Sequence, residues 1–414
     1  MSEVEELAGL VDGLRRDRRR GPYAGHGEYL DTAWAVHEAA ERLLDGGLAD
    51  QAAPKLRTAV DRVAKALMYL DDSGGTVGDA LRALTVLYAK AVCAAPPRRP
   101  QTLATWIDKT KFDGPGWPDL QLADFAAGLG PVGLAHLADL VEDRASGLTD
   151  EDRYGAALHI QDLREQLAAN VGDTDRYIGV VARDLRTPGQ YLKITEALRD
   201  AARTEEATVW ARRGLAAHPT SPYLPPLRDS LVDLLTRAGN EEEALAVRRA
   251  AFERTPVHAV FHPLQATATR IGSPQTIQWA LGLLRERLPA HPAGARELIL
   301  CLQETGQHDD AWQVAVDHLD DLGKYLLQDL IEQRRTTHPA DVTGPYRRLI
   351  AGYLAETGNK YRYQYAVRHL KALRALHQQL GTPGEFADYL HALRAEHKRK
   401  TSFLAQLDKA GLGG

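Results

Sequence analysis

Cysteine is scarce in this sequence, which holds only Cys93 and Cys301 among its 414 residues. The two lie far apart, and each sits inside an apolar pattern with helical spacing. Small secreted domains that depend on disulfides are rich in cysteine, whereas a buried free cysteine behaves as a small hydrophobic side chain. The cysteine content therefore predicts a reduced, cytoplasmic protein without a disulfide framework.

Long apolar runs are missing as well. No stretch approaches the roughly 20 apolar residues that a membrane-spanning helix needs, and the acidic-then-basic N-terminus lacks the apolar segment of a secretory signal. We therefore expect no membrane partner. The net charge of -5 gives no general attraction for nucleic acid, so any such binding would need a local basic patch.

Catalytic motifs are absent. The glycine pairs at 46–47 and 74–75 have neither the spacing nor the lysine of a phosphate-binding loop, and they indicate helix ends instead. The serines are few and none has a nucleophile-elbow context. We predict no catalytic residue and no cofactor; an active site assembled from distant residues stays open as an alternative.

Two short patterns could hold a metal ion, but neither is complete. His258 and His262 have the spacing of zinc ligands on a helix, yet no glutamate stands between them and no third ligand is evident. The pair Asp71 and Asp72 precedes a Ser-Gly-Gly turn, where carboxylates more often cap a helix. We therefore predict no metal site.

Apolar residues recur with helical period from end to end, and alternating β-branched runs are missing, so the predicted fold is all-α. In the first half we expect helices near 30–44, 48–70 and 77–93. A turn with three prolines at 94–100 and a glycine- and proline-rich stretch at 106–118 follow them.

The second half repeats itself. Residues 204–219 and 241–256 share a pattern at an offset of 37 residues. Gly239, Gly272 and Gly306 then recur at intervals of 33 and 34, and Trp279 and Trp312 are 33 apart. These spacings are close to the period of the tetratricopeptide repeat (TPR).

A helical hairpin of this length cannot bury its own apolar face, so neighbouring hairpins must stack. The expected fold is a set of TPR-like hairpin repeats forming an α-solenoid with a concave face. We expect four small residues to let the helices approach closely: Ala207, Gly214, Ala244 and Ala250.

Three regions are predicted from these patterns. They are an N-terminal basic helix and loop over 1–27, a helical domain over 28–170, and a TPR-like repeat domain with basic C-terminal helices over 171–414. The first contains a cluster of arginines between 15 and 20, for which the end of a solvated helix is a sufficient explanation.

The basic C-terminal stretch is the main charge feature. Between 360 and 400 there are nine Lys or Arg residues and three acids, a local excess of six positive charges. Tyr361, Tyr363 and Tyr365 lie among these bases, a mixture suited to phosphate contact and stacking. Because alternating residues of a helix point to different faces, at least one of the three tyrosines should belong to the core.

The order of several motifs resembles the helical region that follows the zinc finger in bacterial SWIM zinc-finger proteins. The resemblance runs from about Leu30 to the C-terminus and includes these segments: 70–78 with the helix up to Cys93, 173–185, 191–197, 338–341, 346–349, 365–367 and 385–404.

A SWIM finger needs a Cys-x-Cys pair and a later Cys-x-His, which two distant cysteines cannot supply. The resemblance therefore implies the TPR-like helical scaffold without the finger. It also implies a partner, namely a separate SWIM-finger protein or a helicase or other ATPase.

We expect a non-catalytic scaffold or adaptor that binds a protein partner, with Trp210, Trp279 and Trp312 as candidate aromatic anchors. Nucleic-acid binding through the basic C-terminal helices is the first alternative, and a cryptic enzyme is the second. The basic residues assigned to the interaction surface are Arg362, Lys371, Arg374, Arg394, Lys398, Arg399 and Lys400.

Overall fold

The computed structural model describes residues 2–15, 25–113, 117–148 and 155–413. Within these ranges the chain is helical, with no β-strand. The all-α, TPR-like α-solenoid predicted from the sequence is confirmed. The chain divides into two compact units, 1–227 and 228–414.

Ten helices lie wholly within the described part of unit 1, and one of them, α6, is kinked at Gly130. Pro131 directly follows the kink, in the first turn of the second part of the helix. The helices are α1 (Glu3–Gly13), α2 (His26–Asp45), α3 (Ala49–Leu67), α4 (Thr76–Ala94), α5 (Pro100–Phe112), α6 (Leu122–Ser146), α7 (Ala156–Asn170), α8 (Thr174–Val181), α9 (Pro188–Asp200) and α10 (Thr204–Ala217).

The division between the units falls within α11 (Pro225–Arg237). Two short 3-10 turns, Pro292–Gly294 and Pro339–Val342, interrupt unit 2. Its helices are α12 (Glu241–Arg254), α13 (His258–Arg270), α14 (Pro274–Arg287), α15 (Ala295–Glu304), α16 (His308–Asp317), α17 (Lys324–Arg334), α18 (Thr343–Ala355), α19 (Arg362–Gln379), α20 (Pro383–Glu396) and α21 (Thr401–Lys409).

Within each unit, the described helices that pack extensively are one or two positions apart in chain order. Helix α13, for example, packs against α12, α14 and α15, and α4 packs against α2, α3 and α6. This is the packing of stacked hairpins, in which each hairpin buries its apolar face against the next one. One apolar core extends from Leu7 to Leu163 within unit 1, and another from Leu245 to Leu412 within unit 2.

The three repeated glycines end helices in the same way. Gly239, Gly272 and Gly306 have φ angles of 76°, 70° and 75°, in the left-handed region that favours glycine. In each case the next residue donates its N–H to a carbonyl five positions back, over 2.8 Å, as Gln307 does to Leu302. These are Schellman turns, so the glycine spacing seen in the sequence marks the ends of successive helices.

Ala202 occupies the same turn position after α9, with φ of 59°. Arg203 closes that turn by donating its N–H to Leu198 O over 2.8 Å. A left-handed residue with a Cβ costs roughly 1–2 kcal/mol, and glycine is more flexible when unfolded. We therefore expect Ala202→Gly to raise the free energy of unfolding by about 0.5–1 kcal/mol, measured by urea titration.

The matched control is Ala201→Gly, because Ala201 has a right-handed φ of -81°. There the added flexibility should lower stability by about 0.5–1 kcal/mol. Equal effects of the two substitutions would show that the turn at Ala202 is not strained.

Some sequence-based predictions differ from the structure. The boundary predicted near 170 lies inside unit 1, where α7, α8 and α9 pack in succession. Ala207 and Ala244 are buried as predicted, but Ala250 is exposed and lets no helices approach. Most of the predicted arginine cluster, 16–20, lies outside the described residues. No described helix is long and apolar enough to cross a membrane.

Candidate protein-interaction site

Each of the three tryptophans at repeat positions packs inside its own unit. The Trp210 ring lies 6.1 Å from the Tyr191 ring, and the Arg213 guanidinium covers it at 4.9 Å. The Trp279 ring meets Phe252 edge-on at 6.2 Å, and Arg249 covers it at 4.5 Å. Both rings are therefore mainly packing elements rather than free anchors.

Trp312 differs from the other two because it borders a cavity. The side chain is buried, with the residue 7% exposed, so it is not the exposed anchor expected from the sequence. One part of its ring is covered by Arg334 at 5.6 Å. The remaining ring surface lines a cavity of about 520 Å³ between α15, α16 and α17, which we call the Trp312 cavity.

The floor of the Trp312 cavity is apolar and its rim is polar. Trp312 and Leu330 are buried and supply the apolar lining. Gln303 and Gln333 face each other across the rim, where the Gln303 side-chain amide donates to Gln333 Oε1 over 2.9 Å. Thr337 also lines the cavity.

The arginine and the carboxylate that line the cavity, Arg334 and Asp309, neutralise each other. Arg334 forms ion pairs with Asp309 and, at 2.9 Å, with Asp341. The hydrogen bond and charge of Arg334, with smaller effects of His338 and His308, lower the pKa of Asp309, which therefore stays ionised. The cavity thus suits an uncharged apolar side chain, with the rim glutamines free to exchange their bond for one to a peptide backbone.

Four of the predicted surface cations are engaged at helix ends. Arg374 donates to the Gly411 carbonyl at 2.9 Å, and Arg394 donates to the Leu412 carbonyl at 3.1 Å. Arg362 donates to the Glu356 carbonyl at 3.2 Å, while Lys400 reaches the Leu354 carbonyl at 3.5 Å. Cations at carbonyl-rich helix C-termini stabilise the fold. These four residues therefore bind to helix ends and are not free for the interaction surface that was predicted from the sequence.

The other three predicted cations are on the surface. Lys371, Lys398 and Arg399 are exposed, and none forms an ion pair with a described residue. Tyr363, by contrast, packs its ring 5.4 Å from that of Phe403 and contributes to the core. The expectation that one of the three alternating tyrosines faces inward is therefore met.

Comparison with known proteins places this chain in a family. A family model described as a family of unknown function, DUF6880, matches residues 49–406. The chain belongs to the DUF6880 family. No curated protein matches it.

Among solved structures, this DUF6880 chain is similar to helical-repeat proteins. With Naa15/Naa10 bound to HypK-THB it shares 15% identity at a TM-score of 0.30, covering 99% of this chain and 74% of that one. With the Cut9-Hcn1 hetero-tetramer of APC/C it shares 12% identity at 0.20, covering 99% and 98%. With the TPR domain of P58(IPK) it shares 13% at 0.21, covering 84% and 98%. Similarities this weak say nothing about function.

The possible metal ligands of this DUF6880 member are bound to other protein groups. Glu304 lies between the two histidines, 2.9 Å from His258 Nε2 and 2.5 Å from His262 Nδ1. Asp72 accepts hydrogen bonds from the N–H groups of Val77 and Gly78 at 3.0 and 2.9 Å and caps α4, as expected. In the part of the chain that the structure describes, no three such side chains are placed to hold a metal ion.

A second cavity, of about 960 Å³, lies beside Lys193 and Glu165 in unit 1. Lys193 Nζ is 2.5 Å from the buried carboxylate of Glu165. Burial opposes the charge of Lys193, but the hydrogen bond and charge of Glu165 outweigh it and raise the pKa of the lysine. A lysine held charged is a poor nucleophile, so this pair resembles a structural ion pair more than a catalytic one.

Sequence reasoning identified Trp312 but missed the rest of its cavity. Leu330, Gln333 and Thr337 come from the following helix and turn. The signal in the sequence was the repeat itself, because stacked hairpins place the helix after each repeat tryptophan against it.

Proposed function

We propose that this chain is a non-catalytic scaffold that binds a protein partner by inserting an apolar side chain of that partner into the Trp312 cavity. The observation that carries the proposal is the cavity itself, with its buried aromatic floor and internally neutralised rim. Aromatic floors of this kind supply most of the binding energy in pockets that hold one anchor side chain.

The rim favours a peptide over a free small molecule. Gln303 and Gln333 offer amide donors and acceptors beside the apolar floor, which matches a side chain attached to a polar backbone. The stacked hairpins of unit 2 also hold the cavity on rigid helices, which reduces the entropy lost on binding.

The finer identity of the partner is part of the proposal. The order of motifs resembles SWIM zinc-finger proteins, and the chain lacks the cysteines of the finger. We therefore propose a SWIM-finger protein, or a helicase or other ATPase that works with one, as a cytoplasmic partner.

Filling the cavity should abolish capture of the partner. In Thr337→Trp and in Gln333→Trp the new indole occupies space at the rim that the anchor side chain needs. Each variant is immobilised and exposed to lysate of the native cells. We expect it to capture at least about tenfold less of the proteins that the wild-type chain enriches, a decrease that corresponds to about 1.4 kcal/mol of binding free energy. Quantitative mass spectrometry measures the loss.

Thr336→Trp is the matched control. Thr336 and Thr337 are both exposed, and each donates its hydroxyl to a carbonyl three residues back, but only Thr337 lines the cavity. The Thr336→Trp variant should capture the same proteins as the wild-type chain, in the same amounts. Equal capture by all variants, or a set of proteins that nuclease treatment removes completely, would contradict the proposed scaffold.

A further inference from the structure

Four tyrosines of α17, α18 and the start of α19 lie near one another in unit 2. The ring of Tyr365 lies 5.3 Å from that of Tyr353 and 6.5 Å from that of Tyr361. Burial raises the pKa of Tyr353, the charge of Lys324 opposes this, and the nearby phenols of Tyr325 and Tyr365 add to it. We call Tyr325, Tyr353, Tyr361 and Tyr365 the tyrosine ladder.

Three rings of the ladder are open to solvent. Tyr325 is 82% exposed, Tyr361 45% and Tyr365 37%. Tyr353 is buried and stacks on His369 with ring centres 5.3 Å apart and an interplanar angle of 15°. The ladder therefore consists of one buried ring, that of Tyr353, and three outer rings that are exposed to solvent.

Helical spacing places the outer rings of α19 beside a cation. Tyr361, Tyr365 and Arg368 are separated by four and three residues, so they share one face. Arg368 is exposed and forms no ion pair with a described residue. Lys360 lies over the Tyr361 ring at 4.8 Å without a carboxylate partner among those residues.

One carboxylate near the ladder, that of Glu356, is already neutralised. Glu356 is paired with Lys324, whose ammonium also lies 4.8 Å from the centre of the Tyr353 ring. Hydrogen bonds from Lys324 and, over 3.1 Å, from Asn359 lower the pKa of Glu356. The unpaired charges beside Tyr361 and Tyr365 are therefore positive, whereas the exposed Asp329, four residues after Tyr325 on α17, forms no ion pair with a described residue.

We propose that the tyrosine ladder binds single-stranded nucleic acid. Bases stack on the exposed rings of Tyr325 and Tyr365 and on the face of the Tyr361 ring that Lys360 does not cover, and phosphates contact Lys360 and Arg368. Stacking needs open base faces, which a duplex does not offer, and the unpaired cations favour a polyanion over a neutral proline-rich peptide. Tyr325 and Thr337 lie near opposite ends of α17, so this site is separate from the Trp312 cavity.

Fluorescence anisotropy with labelled oligo-U and oligo-dT tests the proposal, using strands of about 20 nucleotides, longer than the sites of roughly 4–16 nucleotides on known single-strand binders. We expect both strands to bind the full-length chain and affinity to fall with salt. Tyr325→Ala and Tyr365→Ala should each weaken binding roughly 5- to 150-fold, the range that corresponds to about 1–3 kcal/mol for each stacked base.

Tyr223→Ala is the matched control, because Tyr223 is 75% exposed and lies in unit 1. Tyr223→Ala should leave the affinity for both strands unchanged. Thr337→Trp, which fills the Trp312 cavity, should also leave it unchanged, so the test of the tyrosine ladder and the test of the proposed scaffold give separate answers. Four results would overturn the proposal: no binding at low salt, equal binding of a duplex, tyrosine variants that bind as wild type does, or binding of a proline-rich peptide at the ladder instead of the strands.

Discussion

Replacing Arg144 with alanine should lower the free energy of unfolding by about 1.5–3 kcal/mol, the usual range for hydrogen bonds to a charged group, because the Arg144 side chain is itself 35% exposed. Arg144 holds Asp108, whose side chain is only 5% exposed. Its Nε and Nη2 donate to the two carboxylate oxygens at 3.2 and 2.8 Å, and Nη2 also lies 2.8 Å from Asp113. The alanine variant leaves the Asp108 carboxylate buried without a counterion.

Urea-induced unfolding followed by circular dichroism measures this loss. Arg82→Ala is the control, since Arg82 pairs with Asp79 at 2.7 Å on an exposed helix face, where removal should cost at most about 1 kcal/mol. A loss for Arg144→Ala no larger than that of the control would mean that Asp108 finds another partner or water.

Gly214→Val should cost about 3 kcal/mol, at the upper end of the usual range for overpacking a core. A Cβ at Gly214 would lie 2.6 Å from Leu227 Cδ2 and from Tyr191 Cβ, and 2.7 Å from Tyr191 Cγ. Because the Tyr191 contacts are at the root of its side chain, a change of rotamer cannot relieve them. Helices α9 and α10 would have to move apart.

Gly282→Val provides the comparison for that substitution. Gly282 also lies within a helix, α14, but a Cβ there would meet no heavy atom within 4 Å. Its valine variant should unfold within about 0.5 kcal/mol of the wild type, as surface substitutions usually do. If both variants unfold at the same urea concentration, α9 and α10 can move apart to accommodate the valine side chain at little cost in stability.

The helices with strong periodicity were predictable from the sequence. The expected segments near 30–44, 48–70 and 77–93 correspond to α2, α3 and α4, because their apolar residues recur at helical spacing between glycine stops. The role of Gly214 was predictable as well, since a small residue at a repeat position indicates close helix packing.

Local sequence patterns gave a wrong prediction where a proline starts a helix and where contacts between distant residues determine the structure. The stretch 106–118 was expected to be an irregular connection, yet α5 runs from Pro100 to Phe112. Pro100 occupies the first turn, where its missing N–H costs nothing, so the helix starts at the very residue that ended the preceding turn. Trp106 then packs edge-on against Tyr88 of α4 at 4.9 Å, a contact that periodicity within α5 does not reveal.

The prediction that the C-terminal cations form an interaction surface was wrong for Arg374 and Arg394 for a related reason. Arg374 and Arg394 were expected on the surface, but they bond to the carbonyls of Gly411 and Leu412 after α21. Charge counting cannot separate a cation that faces solvent from one that closes a helix end. The tyrosine ladder was only partly predictable, since Tyr325 lies far from the 360–400 stretch in sequence and Tyr353 belongs to the preceding helix, α18.

The restriction of helix packing to near neighbours has a mechanical consequence. If the ends of unit 2 were pulled apart, tension would reach each hairpin through its neighbours, because the described helices of this unit pack extensively only on helices close to them in chain order. Such a unit would lengthen in steps, one hairpin at a time. It would also recover in steps, since each refolded hairpin offers a template for the one beside it.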